Sequence, residues 1–196
     1  MNQEIEAKFL NVHHDEVRER LRAAGAELAQ PMRLMRRAVF HGAHLGDGTY
    51  VRVRDEGERV TITYKNFHDR TSIHGVEELE TTVGNFEIAV DIVAKTGLEQ
   101  SSYQETKRET WHLGDVEIAL DEWPWAPSYI EIEGPSEGAV RQTAEQLGFA
   151  WQNAVVGDVS VVYAAAYPSL GENASEIVNR QTPTFRFEDP LPELFK

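Results

Sequence analysis

With 196 residues, 41% of them hydrophobic, the chain has apolar material for one domain with a substantial core, and two domains would be cramped. A formal net charge of -14 argues against a nucleic-acid backbone binder, which needs many clustered Lys and Arg. The absence of cysteine excludes a disulfide framework, a thiolate nucleophile and a Cys-based zinc site.

Membrane association is not expected either. No apolar run approaches bilayer length, and the opening MNQEIEAKFL is acidic where a secretory signal would be basic, so a cytoplasmic protein is expected.

In chain order, period-two alternation predicts a first strand over 2–12, and a helical pattern follows over 14–24, closed by Gly25. A weaker strand over 33–41 precedes the Gly-rich turn HGAHLGDG. Strands over 49–55 and 58–67 flank the tight turn DEGE, and another is predicted over 73–83. A helix over 85–96 has Asn85 as its cap and Gly97 after its end. Strands over 101–113 and 116–123 meet at Leu113-Gly114-Asp115, and one over 128–133 leads to a helix over 136–147 between Ser136 and Gly148. A last helix is predicted over 158–166. After Pro168 the pattern decays into polar sequence with Pro183, Pro190 and Pro192, so the chain divides into a domain over 1–167 and an extended tail over 168–196. The eight strands suffice to close a barrel. The fold class is α+β, mostly β, with helices packed outside a closed antiparallel barrel.

The placement of charge is the informative feature. On the first strand Glu4, Glu6 and Lys8 share one face, while Ile5, Ala7 and Phe9 take the other. A single such strand is ordinarily a solvated surface strand. Yet the arrangement recurs at Arg52 and Arg54, at Lys65, at Glu78 and Glu80, and at Glu131 and Glu133. Turned inward, these faces form a polar lumen in which buried like-sign pairs persist only with opposite charge between them, which a ligand supplies. Glu4, Glu6, Glu131 and Glu133 suit a hard divalent cation. Lys8, Arg52, Arg54 and Lys65 suit the oxygens of a polyphosphate.

These residues together resemble the CYTH superfamily, the triphosphate tunnel metalloenzymes, which includes class IV adenylate cyclases, thiamine triphosphatases and inorganic triphosphatases. The likeness spans roughly 1–167. Its signature ExExK stands here as Glu4-Ile5-Glu6-Ala7-Lys8, followed by Arg52-Val53-Arg54, Thr63-Tyr64-Lys65, Glu78-Leu79-Glu80, Arg108 three residues before Trp111, Leu120-Asp121 and Glu131-Ile132-Glu133. The resemblance implies an eight-stranded tunnel in which Glu4, Glu6, Glu131 and Glu133, joined by Asp121, hold Mg²⁺ or Mn²⁺. Lys8, Arg52, Arg54, Lys65 and Arg108 would grip the triphosphate as the catalytic set, with Glu78 and Glu80 lining its path. Two departures stand out: Gly75-Val76 replaces a basic residue that often precedes the fifth strand's acids, and Thr106 replaces a Lys two positions before the late Arg.

The resemblance implies a metal-dependent triphosphatase acting on inorganic triphosphate, thiamine triphosphate or a nucleoside triphosphate. Alternatives are a class IV adenylate cyclase, forming cyclic AMP and pyrophosphate from ATP, and a non-catalytic polyphosphate or nucleotide sensor using the tail as its arm. The expected partner is a small-molecule triphosphate rather than nucleic acid or membrane, and homodimerisation stays open. The seven histidines lack zinc-like spacing. Trp111, Trp123 and Trp125 read as core or rim packing rather than base stacking, and Gly46-Asp47-Gly48 as a turn.

Overall fold

The computed structural model describes every residue except Met1, 70–72 and 74, and gives the backbone but not the side chains of Asn2–Glu4. His74 and the Glu4 side chain therefore lie outside the described residues. The N-terminal strand is interrupted at Ile5 into β1 (Asn2–Glu4) and β2 (Glu6–Leu10). Then follow α1 (His14–Ala23), β3 (Glu27–His41), β4 (Thr49–Asp55), β5 (Val60–Phe67), β6 (Val76–Val83), α2 (Phe86–Lys95), β7 (Glu99–Leu113), β8 (Val116–Glu122), β9 (Tyr129–Glu133), α3 (Glu137–Gln146) and α4 (Ser160–Ala166).

Hydrogen bonding runs β1-β6-β5-β4-β3-β7-β8-β9-β2. Because β1 and β2 are two parts of one strand, this path returns to its start. β1 lies antiparallel to β6 from Asn2↔Glu78 to Glu4↔Val76, and β2 lies antiparallel to β9 from Glu6↔Glu133 to Leu10↔Tyr129. Counted with β1 and β2 as one, eight antiparallel strands curl into the expected barrel. Its longest strands, β3 and β7, pair with register shifts between Leu28/Gln30, Gln30/Arg33 and Val39/Phe40. Such irregularities bend and twist a strand, which helps the sheet curl.

The alternation sorts the two faces of the wall. In β2 the outward Ala7 and Phe9 are buried beneath α1 and α3, joining Val17, Leu21, Val140 and Ala144 with Ile118, Ile130 and Ile132 of β8 and β9. Burying each of the larger side chains contributes about 1.5–3 kcal/mol. On another side of the barrel, Phe86, Ala89 and Val93 of α2 cover Ala38, Phe40 and Val53. The apolar cores thus sit outside the barrel, and the lumen is left to charge. The helix ends follow their predicted chemistry. Asn85 accepts the Ile88 N–H at 2.9 Å and Ser136 the Ala139 N–H at 3.2 Å, and Gly25, Gly97 and Gly148 take positive φ after their helices.

The segment 168–196, expected as an extended tail, is folded. A 3₁₀ turn (Pro168–Asn173) leads into the short helix α5 (Ala174–Glu176), a π-helical turn (Ile177–Gln181), β10 (Thr184–Phe185) and a last turn (Glu193–Phe195). β10 runs parallel to β7 at Tyr103 and Gln104, on the edge that β8 leaves uncovered because its own pairing starts at Lys107. Leu170, Val178, Phe185 and Phe195 are buried against Trp123, Tyr129 and Tyr163. These few apolar residues dock by tertiary fit, with no local periodicity to announce them. No helix among the described residues is long and apolar enough to cross a membrane.

Candidate active site in the barrel lumen

A cavity of about 540 Å³ lies inside the barrel, walled by side chains from β2 to β9. Lys8, Arg52, Arg54, Lys65 and Arg108 all face it, and the first four are at most 9% exposed. Of the expected carboxylates, Glu6, Glu78, Glu131 and Glu133 also line it. Glu80 and Asp121 stand behind, bonded to cations that do line it. Glu4 is placed only through its backbone, opposite Val76.

The lumen charges are interleaved. Lys8 Nζ lies 2.5 Å from Glu6 and 3.2 Å from Glu131. Arg108 grips Asp121 with two N–H groups, at 2.7 and 2.5 Å, and reaches Glu131 at 2.5 Å. Both Asp121 oxygens are thereby engaged by Arg108, and the residue is fully buried. Lys65 lies 3.0 Å from Glu78. Arg52 and Arg54 each lie 3.6 Å from the same Glu80, whose carboxylate also accepts the Thr63 hydroxyl at 2.7 Å.

Titration follows from this geometry. Burial opposes ionisation of Glu131, but Lys8, Arg108 and Lys65 outweigh it and hold the carboxyl far below the usual carboxylate range. Burial likewise opposes charge on Lys8, and Glu131 and Glu6 overcome it, so the ammonium is held above its ordinary range. Arg54 goes the other way: burial first, then neighbouring Arg52, push its guanidinium down to about 10 despite Glu56.

Sequence reasoning missed Arg37 and Glu56. Arg37 of β3 is 6% exposed and lines the cavity, and burial, then Arg52, Arg54 and Arg108, push it down to about 9. The alternation Arg37, Val39, His41 on one face of β3 was the available signal. Glu56, just past β4, is buried and lies 2.6 Å from Arg54 and 2.7 Å from Arg59. The tail contributes too, for Ser175 and Asn179 reach the cavity together with Asp158, which accepts from Asn179 at 3.2 Å. Gly46-Asp47-Gly48 is a turn at the cavity rim, and a side chain at Gly48, where φ is 80°, would come within 2.8 Å of the Phe67 carbonyl. Trp111 and Trp125 are packing residues, their indoles donating to Glu109 at 2.7 Å and to the Asp189 carbonyl at 2.8 Å. His41, with Nδ1 2.8 Å from the Ser101 hydroxyl, lines the cavity.

Acids align across the strands at one part of the wall. Glu6 is directly opposite Glu133, and Glu133 is directly opposite Glu117, and all three line the cavity. Like charges in that relation destabilise a sheet unless a cation lies between them. Among the described residues no three acids or imidazoles converge into a finished metal cage. The donors are all hard oxygens, which fits Mg²⁺ or Mn²⁺, cations that commonly complete their coordination with water and substrate phosphates.

The comparisons with known proteins agree with this architecture. The CYTH domain model matches residues 2–155, and the chain belongs to that family. Among solved structures, it is similar to a candidate adenylate cyclase from Vibrio parahaemolyticus (TM-score 0.71, 13% identity, covering 83% of this chain and 98% of that one). It is also similar to a Pyrococcus horikoshii protein (TM-score 0.67, 22% identity, 77% and 93% covered). A third neighbour is a candidate adenylyl cyclase from Hippeastrum reported to have a dominant triphosphatase activity (TM-score 0.53, 15% identity, 79% and 91% covered). At these identities the likeness is one of fold. No curated protein sequence matches the chain.

Proposed function

We propose that the chain is a divalent-metal-dependent triphosphatase acting on a small triphosphate inside the barrel. The observation that carries this reading is the cluster of guanidinium groups facing the lumen: Arg37 and Arg54 are pushed down by burial and by neighbouring Arg52 and Arg108, and Arg52 and Arg54 share the single carboxylate of Glu80. Such a cluster is costly in an empty protein and is relieved by a polyanion.

In this reading Arg52 and Arg54 bind equatorial phosphate oxygens, and Lys8, Lys65 and Arg108 flank the chain of phosphates. Glu78, Glu80 and Asp121 hold those cations in place, as their contacts at 3.0, 3.6 and 2.5 Å suggest. Glu6, Glu131 and Glu133, with Glu4, would hold the Mg²⁺ or Mn²⁺. When bound, the metal supplies Lewis-acid neutralisation of the phosphate charge and helps orient water. Water adds to the terminal phosphorus, the bridging P–O bond breaks, and the lumen cations stabilise charge on the departing diphosphate.

The test is product analysis with tripolyphosphate, thiamine triphosphate and ATP, each with Mg²⁺ and with Mn²⁺. Metal-dependent release of orthophosphate is expected. Cyclic AMP and pyrophosphate from ATP would instead establish a cyclase, and saturable binding without turnover a sensor.

A further inference from the structure

Arg37 differs from the other lumen cations in what surrounds it. Lys8, Arg54, Lys65 and Arg108 each have a carboxylate within 3.2 Å. Among the described residues, Arg37 has none within salt-bridge distance; its Nη2 donates instead to the Thr106 hydroxyl at 2.8 Å, and its guanidinium lies 4.8 Å from the centre of the Trp123 ring. Its Nε is buried with no hydrogen-bond partner. The neighbouring Trp123 is also 6% exposed and lines the cavity, and its indole N–H is likewise buried and unpartnered. Two side chains that line the cavity next to each other, one of them cationic, therefore each keep one N–H group, Arg37 Nε and the Trp123 indole, without a protein acceptor. An indole N–H can only donate, so what completes the pair is an acceptor. Leaving such donors buried and unmet is costly in the free protein.

We propose that Arg37 and the Trp123 indole form a further anion subsite of the tunnel, taking a phosphate oxygen of the bound triphosphate. This rests on the triphosphate reading above and adds to it two residues outside the charged pattern of the sequence. The subsite also accounts for Thr106. That position on β7 faces Met35 across the β3/β7 pair and lies on the lumen side with Gln104 and Arg108. It carries a hydroxyl rather than a cation, and Arg37 brings a guanidinium to it from the adjacent strand. At this one position the positive charge comes from β3 rather than from residue 106 of β7.

Calorimetric titration of tripolyphosphate in the presence of a chelator, with melting temperatures of free and bound protein, tests the subsite. Arg37→Met should weaken binding by about tenfold or more, as expected for loss of a charge-assisted contact. The same substitution should leave the free protein's melting temperature unchanged or raised, because an uncompensated buried charge has gone. A lowered melting temperature, or failure to fold, would make Arg37 a structural residue and overturn the proposal. Arg37→Met combined with Thr106→Lys should recover most of the lost affinity, and no recovery would count against the shared position. Arg52→Met separates the two levels. If Arg52→Met weakens binding and Arg37→Met does not, only the subsite fails. If wild type binds tripolyphosphate neither in the chelator nor with Mg²⁺, the triphosphate reading fails with it; if it binds only with Mg²⁺, the same variants are compared there.

Discussion

Glu131 neutralises two lumen cations with one carboxylate, contacting the buried Lys8 at 3.2 Å and the partly buried Arg108 at 2.5 Å. Glu6 still faces Lys8 and Asp121 still grips Arg108 when Glu131 is removed, so the two cations lose only part of their compensation and Glu131→Gln should cost about 1–3 kcal/mol in urea unfolding. The sign with pH follows from its depressed folded-state pKa. Its stabilisation is fully present above the unfolded value, near 4.5, and is lost as pH falls below it. Glu56 and Glu109 are depressed as well, so wild type should lose stability on acidification below that value and Glu131→Gln should lose it less steeply. A parallel decline in both proteins would show that Glu131 is not the responsible group. At this scale the alternation of Glu6 and Lys8, or of Arg52 and Arg54, was readable because the basic and acidic residues within each strand's interior fall on one face, Asp55 at the very end of β4 being the exception. Arg37 was obscured by its neighbour. Arg36 points outward to Asp55 and Glu87, each at 2.9 Å, so the basic residues of β3 occupy both faces and cancel the periodic signal.

Among the elements, those with local rules were legible and those with only tertiary partners were not. Helices α1, α2 and α3 begin and end within a residue or so of their expected limits, because caps and glycines mark them. β3 is longer than expected, starting at Glu27, since its first half is partly exposed and carries no alternation. The tail is the clearest case. Its prolines and polar residues give no period, yet Phe185 is fully buried in contact distance of Trp123, Trp125 and Tyr163, with ring centroids 5.6–6.2 Å apart. Phe185→Ala should therefore destabilise the protein by about 3–5 kcal/mol, measured by denaturant unfolding, as for other buried aromatic truncations. It should also raise hydrogen exchange at Tyr103, whose N–H donates to the Pro183 carbonyl at 2.9 Å. Unchanged exchange there would mean that β10 stays docked without its anchor.

For the molecule as a whole, a chain of net charge -14 concentrates a large part of its positive charge inside. Only closure makes that useful. The circuit through β1 and β2 turns five alternating charged faces toward one another, and the same alternation places the greasy faces beneath α1, α2 and α3. The acidic exterior does not repel a triphosphate from the centre if the lumen potential is local, since exposed charges are screened within about 8–10 Å at ordinary salt while the buried ones are not. The most direct measurement is a crystal structure of the chain grown with tripolyphosphate and no divalent metal. Phosphate oxygens within hydrogen-bond distance of Arg52 and Arg54 inside the barrel are expected. An anion bound only on the outer surface, with the lumen guanidinium groups still turned to Glu80 and Glu56, would contradict the central role assigned to the tunnel.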